Sequence, residues 1–167
     1  MTDATIDVMT DAKNLIIVLF SSLLLTACST RTVYSKFQSV SPNGWSADSV
    51  LTYSFHVSDV ELPYDFLLVV RHNEVYPYQN MWLFCTFGID DTLPPMLTDT
   101  IEFFLADDRG RWLGNGGLQH IEMPVLFEQC YQIPDTGQYR FTIQHGMRDE
   151  LLRGISDVGV IVNRCGE

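Results

Sequence analysis

Gly137-Gln138-Tyr139-Arg140-Phe141-Thr142-Ile143-Gln144-His145 alternates strictly, with Tyr139, Phe141 and Ile143 on one side and Arg140, Thr142 and Gln144 on the other. A helix would scatter these residues around its circumference. Period two calls for a strand with one buried and one wet face. The same reading extends outward. Val50 to Val57 sets Tyr53, Phe55 and Val57 against Thr52, Ser54 and His56. Asp65 to Arg71 is a continuous apolar run, suited to a strand covered on both sides. Met81 to Ile89 puts Trp82 and Phe84 on one face and Leu83, Cys85, Phe87 and Ile89 on the other, and Trp82 reads as core. Thr100 to Ala106 leads through a turn at Asp107-Asp108-Arg109-Gly110 into a returning segment, Arg111 to Leu113. Val125 to Gln132 alternates with Val125, Phe127, Gln129 and Tyr131 on one side, and Ser156 to Asn163 adds Val158, Val160 and Val162.

Pro63, Pro77, Pro94-Pro95, Pro124 and Pro134 are expected at turns. Met147 to Leu152 is the single stretch that reads as a short helix. About eight strands with this punctuation predict an all-β protein, an antiparallel β-sandwich. A lipocalin-like barrel is the rival. The doubly covered Asp65–Arg71 run favours the sandwich.

The other end of the chain reads differently. Leu15 to Ala27 is an unbroken apolar-to-small segment of thirteen residues ending Leu23-Leu24-Leu25-Thr26-Ala27-Cys28. As a helix it would rise roughly 20 Å, against a hydrocarbon core about 30 Å thick. The length suits the apolar core of a cleaved secretory signal, with Lys13 as the preceding charge. Asp3, Asp7 and Asp11 are unusual there, and initiation at Met9 instead of Met1 would remove two of them. A small residue and then cysteine at the end of such a segment is a lipoprotein signal. Residues 1–27 are expected to be cleaved and Cys28 acylated by palmitate-class chains. Two or three acyl chains anchor stably where one alone holds marginally. Residues 28–47 are read as the lipidated N-terminus and tether, and residues 48–167 as the sandwich.

The 167 residues carry ten Lys and Arg against 21 Asp and Glu. Removing residues 1–27 takes away one Lys and three Asp and leaves a net charge of −9. A surface of that sign repels phosphate backbones, so nucleic-acid partners are excluded, as is electrostatic adhesion to anionic lipid. Beyond Cys28 there are Cys85, Cys130 and Cys165, with no Cys-x-x-Cys. They read first as free thiols; one disulfide involving Cys130 or Cys165 is the alternative.

Reaction chemistry is hard to find. Gly-x-Ser-x-Gly and His-Glu-x-x-His are both missing, and His56, His72, His120 and His145 stand singly. No metal or other cofactor is expected. Asp90, Asp91, Asp99, Asp107 and Asp108 sit at strand ends, where turn chemistry accounts for them better than calcium. Glu102 with Asp107 or Asp108 is the weakest reading, a carboxylate pair for hydrolysis. Gly114, Gly116 and Gly117 lack the Gly-Lys-Ser/Thr of a phosphate loop and read as a tight connection. Tyr76, Tyr78, Asn80, Arg109, Arg111 and Trp112 form the candidate interaction surface, because Tyr, Trp and Arg are the residues protein contacts favour. An exposed platform of Trp45, Trp112 and Tyr78 would instead suit a glycan.

Four segments carry a resemblance. They are the signal ending at Cys28; Tyr76 to Phe84; Asp99 to Gly116; and Gly146-Met147-Arg148 together with Gly154 to Gly159. In that order the chain resembles the gliding-motility lipoproteins of the GldH type. The resemblance implies a cell-envelope lipoprotein of Bacteroidota, lipid-anchored in the outer or inner membrane and facing the periplasm. It further implies association with the gliding machinery and its secretion system, although relatives also occur in non-gliding bacteria. It brings no catalytic residues, and the position it transfers is the lipidated Cys28. The expected partners are the membrane, through that lipid, and other envelope proteins.

Overall fold

Each alternating stretch becomes a strand in the computed structural model, which describes residues 31–90, 94–117 and 120–166. Cys28 and the signal segment lie outside the described residues. The strands are β1 (Thr32–Ser39), β2 (Trp45–Ser46), β3 (Leu51–Val57), β4 (Tyr64–His72), β5 (Asn80–Ile89), β6 (Leu97–Phe104), β7 (Asn115–Gly117), β8 (His120–Tyr131), β9 (Gly137–His145), β10 (Leu151–Leu152) and β11 (Ile155–Arg164). A five-stranded sheet runs β1-β11-β4-β8-β7, a four-stranded sheet runs β3-β9-β5-β6, and β10 pairs with β2. Every pairing is antiparallel. Among the described residues no ladder joins the two larger sheets, so the fold is a sandwich and not a barrel.

The period-two pattern sets the register. On β3 the residues Leu51, Tyr53, Phe55 and Val57 are buried and those between them exposed. On β9 the buried set is Tyr139, Phe141, Ile143 and His145. β4 is covered on both faces, as its apolar run predicts. Phe66 of β4 is the hub of an aromatic core, with ring centroids 4.8 Å from Phe87, 6.2 Å from Tyr131 and 6.4 Å from both Phe55 and Phe141. Burying one such ring stabilises the fold by about 1.5–3 kcal/mol. Tyr53 crosses between the sheets, its hydroxyl donating to the Val158 carbonyl at 2.7 Å. Tyr34 lies tilted against Phe55 with ring centroids 4.9 Å apart, and the Gln38 amide donates to the Thr52 carbonyl, closing the β1–β3 side.

Four features differ from the sequence reading. Residues 31–47 are not a tether: β1 pairs with β11 from Thr32 to Ser39, and Trp45 is buried. β1 is an edge strand with exposed positions throughout, so it lacks a clean apolar alternation. Met147–Leu152 is not helical; it curves over the end of the sandwich and closes on β2 through β10. Pro124 lies inside β8 opposite Val69 instead of in a turn. β7 covers β8 from Glu122 to His120 and no further, so Pro124 sits on an open edge where its missing N–H leaves no ladder bond unmade. Finally, Cys130 and Cys165 are joined in a disulfide, and Cys85 is the buried free thiol. Burial, with Asp99 nearby, pushes the Cys85 thiol up to about 12, so it is an unreactive core residue.

Candidate functional site

The strands end in two groups of loops. One end carries the start of β1, the end of β11 and residues 58–63 and 132–136; the other carries residues 40–44, 73–79, 105–114 and 146–154. The second group holds the predicted interaction surface except Asn80, which follows it as the first residue of β5.

Asn73 starts that end. Its side-chain oxygen accepts from the Val75 N–H at 2.9 Å and its carbonyl from the Tyr76 N–H at 3.2 Å. The Tyr76 ring is buried, and its hydroxyl donates to the Asn80 carbonyl at 2.8 Å. Tyr76 is therefore a pillar of the loop and not part of its outer surface; Val75 and Pro77 form the exposed tip. Gly154 packs against this pillar with φ +83°, and a Cβ there would stand 2.3 Å from the Tyr76 nitrogen. Tyr78 is half-buried, and its hydroxyl donates to Asp149 at 2.9 Å, fastening the 146–154 loop to the 73–79 loop.

The hairpin after β6 is built on Asp107. Its carboxylate accepts from the Arg111 N–H at 2.8 Å, the Arg109 N–H at 3.0 Å and the Arg111 Nε at 2.8 Å. These donors, the Arg111 backbone foremost, hold it below the usual carboxylate range. Asp107 is thus turn chemistry, as its sequence context suggests. Gln79 joins the hairpin to the tyrosine loop, accepting at its carbonyl from Leu105 N–H at 2.7 Å and Ala106 N–H at 3.1 Å. Arg109 and Arg111 are exposed. Trp112 is half-buried with its ring 4.6 Å from the His72 ring, edge to face. His72 is fully buried, and burial pushes its pKa down.

The neighbouring outer face of the four-stranded sheet adds residues outside the predicted interaction surface. Trp82, Phe84 and Phe104 are 38%, 48% and 57% exposed. Trp82 is therefore a surface residue and not core. Register sets Phe104 opposite Asn80, Glu102 opposite Trp82 and Thr100 opposite Phe84. The three rings run diagonally across the β5–β6 pair, and the Asn80 amide donates to Glu102 at 2.6 Å between them. Residues 146 and 147 continue alongside: Gly146 N–H donates to the Trp82 carbonyl at 2.7 Å, and Trp82 N–H to the Met147 sulfur at 3.3 Å. A Cβ on Gly146 would lie 3.0 Å from the Phe84 ring, so glycine lets the loop lie close to the aromatics. Where loop and face meet there is a cavity of about 390 Å³ lined by Tyr78, Asn80, Trp82, Gly146, Met147 and Arg148.

Of the predicted surface, Tyr78 and Asn80 line this cavity, Arg109 and Arg111 are exposed on the hairpin that Gln79 joins to the tyrosine loop, Trp112 packs inward and Tyr76 is internal. Trp45 is buried with its indole N–H donating to Ser49 at 3.0 Å, so the proposed platform of Trp45, Trp112 and Tyr78 does not form. A sequence signal for the missed rings existed. Asn80, Trp82, Phe84 and Thr86 alternate with Met81, Leu83, Cys85 and Phe87, and Asn80 and Thr86 mark the first set as the wet face.

Asp90 pairs with Arg140, Asp99 accepts from the Thr100 N–H at 2.7 Å, and Asp91 lies outside the described residues. Among the described residues the metal-like grouping is Asp65, Cys130 and Cys165. There the two sulfurs are bonded to each other, and Asp65 is held by Arg31 at 2.8 Å and by the Cys130 N–H at 2.9 Å.

Comparison with known proteins bears on the whole sandwich. A protein of Christiangramia forsetii described as a gliding motility lipoprotein GldH homolog is 26% identical over 163 residues, spanning 93% of this chain and 98% of the relative. The gliding motility lipoprotein GldH of Flavobacterium johnsoniae is 30% identical over 154 residues, 88% of this chain and 94% of the relative. Among solved structures, a chain of infectious bursal disease virus Gx strain aligns at TM-score 0.34 and 15% identity, over 79% of this chain and 30% of the viral one. At that score the likeness carries no argument. The model of the GldH lipoprotein family matches residues 32–162, from the first strand through nearly all of the last, and the chain belongs to that family.

Proposed function

We propose that this gliding-motility-associated lipoprotein acts by contact, as an accessory component that docks another envelope protein against the surface formed by Trp82, Phe84, Phe104, Tyr78 and Arg148. The observation that carries the reading is the exposure of three aromatic rings on one sheet face beside a cavity. Exposed apolar surface of this kind marks interaction sites on soluble domains, and Trp, Tyr and Arg dominate the energetics of protein contacts. The lipid on Cys28 supplies the membrane attachment in this reading, and binding replaces turnover as the activity. The test is crosslinking in intact cells, comparing the natural chain with Trp82→Ala/Phe84→Ser. Specific crosslinked species should fall about tenfold or more for the double variant, since one central aromatic contributes about 2 kcal/mol or more. Equal crosslinking by a folded double variant refutes the docking surface.

A glycan is the second reading, favoured by the same flat rings and by the Asn80–Glu102 pair between them, which would offer hydrogen bonds to hydroxyls. Its test is tryptophan fluorescence over a panel of polysaccharides. A response that Trp82→Phe abolishes supports it, and no response across the panel removes it.

A further inference from the structure

Arg31 is fastened to the body of the sandwich. Its Nε donates to the Arg164 carbonyl at 3.0 Å, its guanidinium pairs with Asp65 at 2.8 Å, and its own carbonyl accepts from the Arg164 N–H at 2.9 Å. Three peptide units separate Cys28 from Arg31. Whatever their conformation, they span at most about 11 Å. We infer that a lipid bilayer covers the end of the sandwich around Arg31, Leu62 and Arg164, and that the docking surface lies in the opposite half, away from the headgroups. The inference rests on the acylation of Cys28.

Strand length fixes the separation between the two ends. β4 runs nine residues from Tyr64, beside Arg31, to His72, beside the tyrosine loop. At about 3.3 Å per residue that is roughly 30 Å. A leash a third of that length keeps one end at the membrane and leaves the other well out in the aqueous space. Charge selects standing over lying flat. The domain carries −9 net, so an anionic leaflet repels it wherever its carboxylates approach, over about a Debye length of 8–10 Å. An upright pose brings one end's carboxylates within that range, those of Asp59, Glu61 and Asp135 among them, where a flat pose exposes a whole side. Arg31 and Arg164 stand at the leash end beside Asp65 and Asp59, and exposed Leu62 is the apolar tip of the 58–63 loop. Phe84 lies mid-strand on β5 and Tyr78 beyond its far end, so a partner of the docking surface must reach roughly 15–30 Å above the membrane that holds the lipid.

Energy transfer to the bilayer tests this. The natively acylated protein is reconstituted into phosphatidylethanolamine–phosphatidylglycerol vesicles containing a rhodamine lipid. A donor dye is placed on Glu61→Cys at the leash end or on Arg153→Cys at the far end, both exposed positions. Flotation is scored first. Protein that floats should transfer about twofold or more efficiently from position 61 than from position 153, given the roughly 30 Å between the ends. Inserting roughly twenty Gly/Ser residues between Thr30 and Arg31 should lower the position 61 signal toward that of position 153. Floating protein with equal transfer from both positions overturns the orientation while leaving the anchor intact. Protein that does not float overturns the anchor itself, and the orientation with it.

Discussion

Reducing the Cys130–Cys165 disulfide should weaken the fold by an amount that chain entropy sets. The bridge joins residues 35 apart. Closing a loop of that length removes about 13 cal/mol/K from the unfolded ensemble, which amounts to about 4 kcal/mol at about 25 °C. The closed segment contains the end of β8, all of β9 and β10, and all of β11, the strand that lies between β1 and β4. Its constraint therefore acts on strands from both larger sheets. Urea unfolding of the Cys28→Ser chain, followed by tryptophan fluorescence, provides the measurement. With a slope of about 2 kcal/mol per molar, dithiothreitol should lower the midpoint by about 2 M. Cys130→Ser/Cys165→Ser should reproduce the reduced midpoint and abolish the response to reductant. Cys85→Ala should leave the response intact, because Cys85 is buried and unpaired. A midpoint shift below about 0.5 M would refute the loop-entropy argument. A stabilisation of this size is available where thiols oxidise and is lost in a reducing cytosol, which agrees with a site of action outside it.

Acid should destabilise the domain. Burial pushes the pKa values of His72 and His145 down, with the Asn73 and Trp45 carbonyls, and at His145 also Asp149, working against it; the unfolded chain then binds more protons below about pH 6.5, so stability is complete above that pH and falls by up to about 1.4 kcal/mol per pH unit per histidine as pH drops through it. His72→Phe should flatten part of the decline in urea midpoint between about pH 7.5 and 5.5, and an unchanged slope would show that His72 does not charge on unfolding. Gly154→Ala should lower the melting temperature by about 5 °C or more, because φ +83° disfavours any side chain and the new Cβ meets the Tyr76 backbone. An unchanged melting curve would mean that the Tyr76 loop is not held by this contact.

The core was legible because burial enforces period two. On β3 and β9 every second residue must be apolar, and the sequence states that directly. β1 was not legible, because as an edge strand it draws its stability from pairing with β11, from Tyr34 on the core and from Phe37 under Arg71, which the Ser- and Thr-rich segment around it obscures. The site was half legible. The tyrosine loop and the Asp107 hairpin announce themselves by residue type, but Tyr76 and Trp112 turn inward, since an aromatic in a loop can roof the core as readily as face water. Trp82 was misjudged for the converse reason. Size and hydrophobicity suggest core, and the strand's parity, which decides the matter, had to be read from Asn80 and Thr86.

Three exposed rings on a sheet face invite self-association, so their persistence needs a physical account. The strand beside them supplies part of it. β6 is the edge of the four-stranded sheet and carries exposed Asp99 and Glu102. Charges on an edge strand oppose pairing with another copy. A net charge of −9 adds repulsion between whole domains. The same field does not oppose a neutral or basic partner, and Arg148 at the cavity gives a local foothold for an acidic one. Exposed aromatics within an acidic surround thus select against copies of the chain and in favour of something else. Raising salt should therefore promote self-association of the natural chain, by screening the repulsion while leaving the rings exposed. It should do so far less for Trp82→Ala/Phe84→Ser, and a salt response identical in the two proteins would place the sticky surface elsewhere.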